Sequence, residues 1–188
     1  KTERWGTNEL DLRFDGTNIR MESFAVDDRN FDRVDLSESV WIPTPGSPAI
    51  PVRGALIGIP YGSEVTAEVV GGEYETLTGV DLMPVPSTRI IGRGEDQRIE
   101  EVIEVDYLAY SQDRPYPSQE LVVTPIGLLR DQRVASISVR PVRYNPAKKE
   151  LRIARRLNIR VRFTQTSILR QMQMSRSEVD HSFQSLYD

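Results

Sequence analysis

The sequence predicts an all-β domain: an antiparallel sandwich or jelly-roll-like fold with a short C-terminal helix. Three observations lead there. Apolar residues recur mainly at period two rather than 3.6, the mark of half-buried strands. Twelve Gly and twelve Pro punctuate the chain into short segments, as turns between strands do. Charged residues make up 28% and hydrophobic ones 38% of 188 residues, a globular composition in a chain long enough to bury a core without staples.

Taken in order, Leu10, Leu12 and Phe14 alternate with polar residues, and Asp15-Gly16 signals a turn. Ile19, Met21 and the stretch to Val26 read as the returning strand. Pro43, Pro45, Gly46, Pro48 and Pro51 mark a loop, because proline lacks the donor a central strand needs. Residues 52–59 form a short strand, and Pro60-Tyr61-Gly62-Ser63 a turn. Val65, Ala67 and Val69 begin a strand that Gly71-Gly72 is expected to stop. Residues 77–85 are a further candidate, closed by Pro84 and Pro86, and strand character resumes over 99–108.

The clearest hairpin is predicted from 134–144 and 151–163, joined by Asn145-Pro146-Ala147-Lys148-Lys149. In its second arm Leu151, Ile153, Leu157, Ile159, Val161 and Phe163 share one parity, while Arg152, Arg156, Arg160 and Arg162 share the other. One face should meet a core and the other solvent. Arg155 falls on the apolar parity, so a bulge is expected there to turn it outward. After the sheet, Ser175-Arg176-Ser177-Glu178 reads as a capping box. Val179, Phe183, Leu186 and Tyr187 then fall on one face of a helix. We expect a β-sandwich over residues 1–166 and a connecting segment with this helix over 167–188. Because the chain begins at Lys1 and stops at Asp188 within a helical pattern, a piece of a longer polypeptide is expected.

Catalytic chemistry finds little support. There is no Cys and a single His, His181, so thiolate sites, a Cys nucleophile and a His-rich metal cluster are excluded. No Gly-x-Ser-x-Gly elbow occurs, and nothing singles out a pair of carboxylates. We expect no catalytic residues, no metal and no cofactor. Asp28-Arg29-Asn30-Phe31-Asp32 has the opening spacing of a calcium loop, but Arg33 stands where Gly is needed and Ser39 where an acidic ligand is needed. It reads as a solvated acidic loop. No apolar run approaches the roughly 20 residues of a membrane helix.

The charge is uneven. Residues 128–163 hold eleven Lys or Arg and two acids, and the rest holds 13 basic and 26 acidic residues. Net charge is -4, which argues against a nucleic-acid partner. A solvated strand face partly paired with acids of the first half is the preferred reading of this stripe. Trp5, Trp41 and Tyr61 could form a carbohydrate-stacking platform, as in an adhesin, although such residues in sheets are more often core. Gly92-Arg93-Gly94 lies in a hydrophilic stretch, and spacing alone reads it as a hairpin tip.

A series of motifs resembles the N-terminal propeptides of gingipain-type cysteine peptidases, exported by the type IX secretion system. It runs from Pro45-Gly46-Ser47-Pro48-Ala49-Ile50-Pro51-Val52-Arg53 to Ile57-Gly58-Ile59-Pro60-Tyr61-Gly62-Ser63-Glu64-Val65. Val80-Asp81-Leu82-Met83-Pro84 and Pro115-Tyr116-Pro117 follow. Then come Leu129-Arg130-Asp131-Gln132-Arg133-Val134, Pro141-Val142-Arg143-Tyr144-Asn145-Pro146 and Glu150-Leu151-Arg152-Ile153. Ser182-Phe183-Gln184-Ser185-Leu186-Tyr187 resembles the approach to the peptidase domain. The resemblance implies a secreted propeptide that assists folding of a downstream cysteine peptidase domain and holds it latent; a monomer is the default expectation, independent of the resemblance. The resemblance also implies an inhibitory loop beside the active-site cleft, with Arg93 at the position of the pocket-filling arginine. Gly92 and Gly94 flank it, and Arg89 and Arg98 lie in the same loop. Two other expectations stand beside this one: a permanent N-terminal β-domain of a sortase-like protein of that secretion system, and an adhesin.

Overall fold

The computed structural model describes residues 2–5, 8–26 and 28–165. The terminal helix predicted over 175–187 lies outside them. The described residues form two antiparallel sheets, two separate hairpins and one short helix. The first sheet is built around β13 (Glu150–Gln165), which pairs along one edge with β7 (Ser63–Thr78). Its other edge takes β12 (Val142–Asn145) first and then β2 (Glu9–Asp15), which in turn carries β1 (Thr2–Trp5). The second sheet runs β10 (Leu121–Leu129), β11 (Gln132–Val139), β6 (Pro51–Ile59), β5 (Val40–Trp41).

One buried cluster joins Leu10, Phe14, Leu157, Ile159 and Val161 of the first sheet to Ile57, Ile59, Ile137 and Val139 of the second. This is the predicted sandwich, and it stays open instead of closing into a barrel. Tyr144 is buried and donates its hydroxyl to the Val80 carbonyl at 2.9 Å. Burial pushes its pKa up to about 12.

The alternation read in the second arm of the predicted hairpin is the core of the molecule. Leu151, Ile153, Leu157, Ile159 and Val161 are buried. The register with β7 jumps between Ala154 and Arg156, so Arg155 is the extra residue of a bulge, as its parity demanded. The bulge does not send Arg155 fully into solvent. Its guanidinium bonds Glu75 at 2.7 Å and the Gly16 and Ile19 carbonyls at 3.3 and 3.1 Å. The bulge thus ties the β2–β3 turn to the sheet, where β3 is Arg20–Val26.

Other expectations are corrected. Gly71-Gly72 does not stop a strand: β7 continues through it for 16 residues. A Cβ on Gly72 would stand 2.9 Å from Leu157 Cδ2 and 2.9 Å from the Tyr74 ring. The glycine permits close approach to the buried face of β13. The stretch 134–144 is two strands in different sheets, β11 and β12. Pro141 lies at the crossing, where it has no donor for a ladder. Residues 79–85 leave the sheets after Gly79 (φ 77°) and hold only isolated bridges.

The strand after Asp15-Gly16 exists but does not return along β2. β3 pairs instead with β4 (Arg29–Asp35). The calcium-like run is therefore mostly strand. Phe31 is buried, and the Asp32 carboxylate accepts from Ser23 Oγ and the Asp81 amide.

Burial and exposure along β13 should separate cleanly in stability. Leu157→Ala is expected to cost about 2–5 kcal/mol through lost burial and a cavity. Arg156→Ala, which removes an exposed ion pair with Glu73, should cost under about 1 kcal/mol. Urea unfolding of both variants checks this. Similar costs would contradict the assignment of faces.

Candidate functional site: an isolated hairpin with an arginine at its tip

Strands β8 (Ser87–Ile91) and β9 (Arg98–Val102) pair only with each other. The hairpin is anchored at its base. Val85, just before it, belongs to a second buried cluster with Phe31, Ala49 and Met83, against which Ile103 and Val105 pack. Arg89 reaches Glu104 at 3.1 Å, and Ser87 Oγ donates to the Val102 carbonyl at 3.4 Å. A two-stranded ribbon has no face of its own to bury, so its position depends on that base.

The tip is built by two glycines. Gly92 has φ 88°, and a Cβ there would overlap the Asp96 carbonyl. Gly94 has φ 63° and opens a single 3₁₀ turn, Gly94–Asp96. Both values are in the left-handed region that glycine tolerates. Between them Arg93 is extended, with φ -140° and ψ 148°. Its side chain is exposed and makes no ion pair among the described residues.

The five predicted loop residues are therefore gathered on one hairpin, in distinct situations. Arg89 is tethered at the base. Arg98, opposite Ile91, is exposed and likewise has no ion pair among the described residues. Arg93 stands at the apex, and Gly92 and Gly94 shape the turn around it.

The structure adds residues that sequence reasoning missed. Ile90 and Ile99 face each other across the hairpin and are 66% and 74% exposed. Four residues beyond β9, helix α1 (Tyr107–Tyr110) exposes Tyr107 and Leu108 at 82% and 76%. Asp106 caps α1 by accepting from the Leu108 and Ala109 amides. Apolar pattern could not reveal this exposure, because an isoleucine in a strand ordinarily signals core. The distinguishing fact is that the hairpin has no sheet against it.

The other sequence candidates resolve differently. Along β13 the basic stripe is paired within its own sheet. Arg160 meets Asp11, Arg162 meets Glu9 and Glu68, and Arg156 meets Glu73. Arg152 stacks 3.7 Å over the Tyr74 ring. Those partners come from the first half of the chain, as expected, so β13 itself offers a polyanion little unpaired charge. The aromatic platform does not form. Trp41 packs on the second cluster beside the start of β6, whereas Tyr61 follows its far end, roughly 25–30 Å along the strand. The side chain of Trp5 lies outside the described residues.

Because the tip geometry belongs to glycine, Gly92→Ala should deform the hairpin end alone. Amide chemical shifts over 90–99 are expected to move while the urea midpoint stays within error of wild type. A global loss of stability would instead make the tip part of the core.

The comparisons with known proteins agree with this architecture. The complex of Porphyromonas gingivalis RgpB pro- and mature domains contains a chain superimposing with a TM-score of 0.73. The alignment is 22% identical and covers 89% of this chain and 83% of that one. Gingipain K of the same organism, in a structure addressing its zymogenic latency, gives 0.72 at 18% identity, over 88% and 92%. At these identities the likeness is one of fold. In sequence, Gingipain R2 of Porphyromonas gingivalis is 23% identical over 152 residues, 81% of this chain and 20% of that protein. Gingipain R1 of Porphyromonas gingivalis is 27% identical over 128 residues, 66% and 12%. The chain thus spans a fifth or less of the length of these curated relatives. Residues 8–181 match the family described as Propeptide_C25, and the chain belongs to that family.

Proposed function

We propose that this chain is the latency and folding domain of a secreted, gingipain-like cysteine peptidase whose catalytic domain lies downstream in the same precursor. The chain has no Cys, so the nucleophile belongs to that other domain. The observation that carries the reading is the β8–β9 hairpin, with an exposed and extended Arg93 held between two left-handed glycines.

The extended backbone suits docking of the tip along a cleft, as an added strand docks on an edge. The guanidinium suits a pocket lined by a carboxylate, which it can engage through two parallel N–H bonds. Ile90 and Ile99 supply apolar area beside the tip, where a desolvated patch strengthens a central anchor. The hairpin is joined to the body of the fold at its base, where Val85, Ile103 and Val105 meet the second cluster. Arg89, tied to Glu104, steadies the base.

Titrating the separately produced peptidase domain with this chain and reading residual activity tests the proposal. Stoichiometric inhibition is expected from wild type. Arg93→Ala should weaken inhibition by about 30-fold or more, the loss typical of an anchoring arginine, and Arg98→Ala by less than about threefold. Equal inhibition by wild type and Arg93→Ala would remove the pocket role. A fully active peptidase in the presence of excess chain would remove the latency role and favour a permanently attached domain.

A further inference from the structure

A groove of about 450 Å³ opens beside α1, between the helix and the chain around Pro115 and Tyr116. Leu108, Arg114 and Arg140 line it together with Asp106. Arg140 Nε is buried and has no hydrogen-bond partner, and among the described residues it is the one buried side-chain polar atom in that condition. A buried donor left unpaired is costly, and in a native protein it asks for an explanation.

The neighbouring arginines heighten the contrast. Arg133 donates to the Ser63 carbonyl, Arg143 to the Pro117 and Ser118 carbonyls, and Arg155 to Glu75. The local carboxylates are engaged elsewhere. Asp106 caps α1, and Glu120 accepts from the Tyr74 hydroxyl. The Glu120 carbonyl receives only the Arg140 backbone amide. Arg114 is exposed at the groove and has no ion pair among the described residues. The groove is therefore lined by two guanidiniums that make no ion pair among the described residues, and the Asp106 carboxylate that shares the lining is bonded to the α1 amides.

We propose that this groove is a carboxylate-binding site centred on Arg140, and that the carboxylate is an acidic side chain of the downstream peptidase domain. A carboxylate matches the Nε edge of a guanidinium in a bidentate pair. The source follows from position. The two guanidiniums call for an acid, and Leu108, which lines the groove, sits on α1, four residues beyond the hairpin proposed to meet that domain. This assignment of the source rests on the function proposed above. The site itself does not.

The test uses the isolated chain, the separately produced peptidase domain and succinate as a small carboxylate probe. Succinate should move the Arg140 Nε–Hε resonance saturably in wild type, and Arg114→Ala should weaken that response. Arg140→Met keeps the aliphatic volume and removes the unpaired donor. It should leave Tm unchanged or raised while weakening peptidase binding about tenfold or more. A lowered Tm with no succinate response would assign Arg140 to the fold and overturn the proposal. No succinate response with unchanged peptidase affinity would overturn it as well. Succinate binding with unchanged peptidase affinity would overturn the source. If the wild-type chain does not bind the peptidase domain at all, the latency reading fails, and the succinate response still decides the site.

Discussion

Strand β13 is hydrogen-bonded along both edges, and the rest of the molecule depends on that double pairing. On one side β7 follows it for its whole length. On the other, β12 and β2 divide it between them. A strand so placed cannot slip by one residue without exchanging its buried and exposed faces. Five aliphatic side chains lock the inner face, and arginines lock the outer one against acids on β2 and β7. The exposed ion pairs add little stability one by one. Their value lies in register, since each guanidinium meets its carboxylate only in the native alignment. The Arg155 bulge contributes similarly, by fastening the β2–β3 turn to the sheet.

This arrangement leaves the β8–β9 hairpin outside the sandwich. Its base is set by the small cluster around Phe31 and Met83, while its tip has no structural duty. Stability and recognition thus reside in different parts of the chain. The tip residue belongs to neither buried cluster, so a change there is expected to leave the core undisturbed. The exposed isoleucines share the hairpin with Arg93 and Arg98, neither of which makes an ion pair among the described residues.

Much of this was legible in the sequence wherever local chemistry and tertiary structure agree. The alternation of 151–163, the bulge at Arg155, the proline-rich loop and the turn at Tyr61-Gly62 are all read directly from pattern. The glycine-flanked Arg93 is legible as a tip by spacing, and an inhibitory role for it is an expectation from resemblance alone. The failures share a cause: the sequence does not say what a residue packs against. Gly71-Gly72 looks like a stop because glycine usually is one, yet here it makes room for Leu157. Pro141 looks like an interruption within one strand and is the passage between two sheets. The exposure of Ile90 and Ile99 goes unread in the pattern, since only the absence of an opposing sheet exposes them. The unpaired Nε of Arg140 depends on where Asp106 and Glu120 direct their carboxylates, which no spacing encodes.

On the function proposed above, the hairpin and the groove beside α1, rather than a sheet edge, would meet the catalytic domain. Backbone hydrogen exchange of the chain, alone and bound to the separately produced peptidase domain, tests this most directly. The account predicts new protection over 88–101 and 106–118, with β13 equally protected in both states. New protection confined to the exposed edge of β10, with the hairpin exchanging as it does in the free chain, would contradict it.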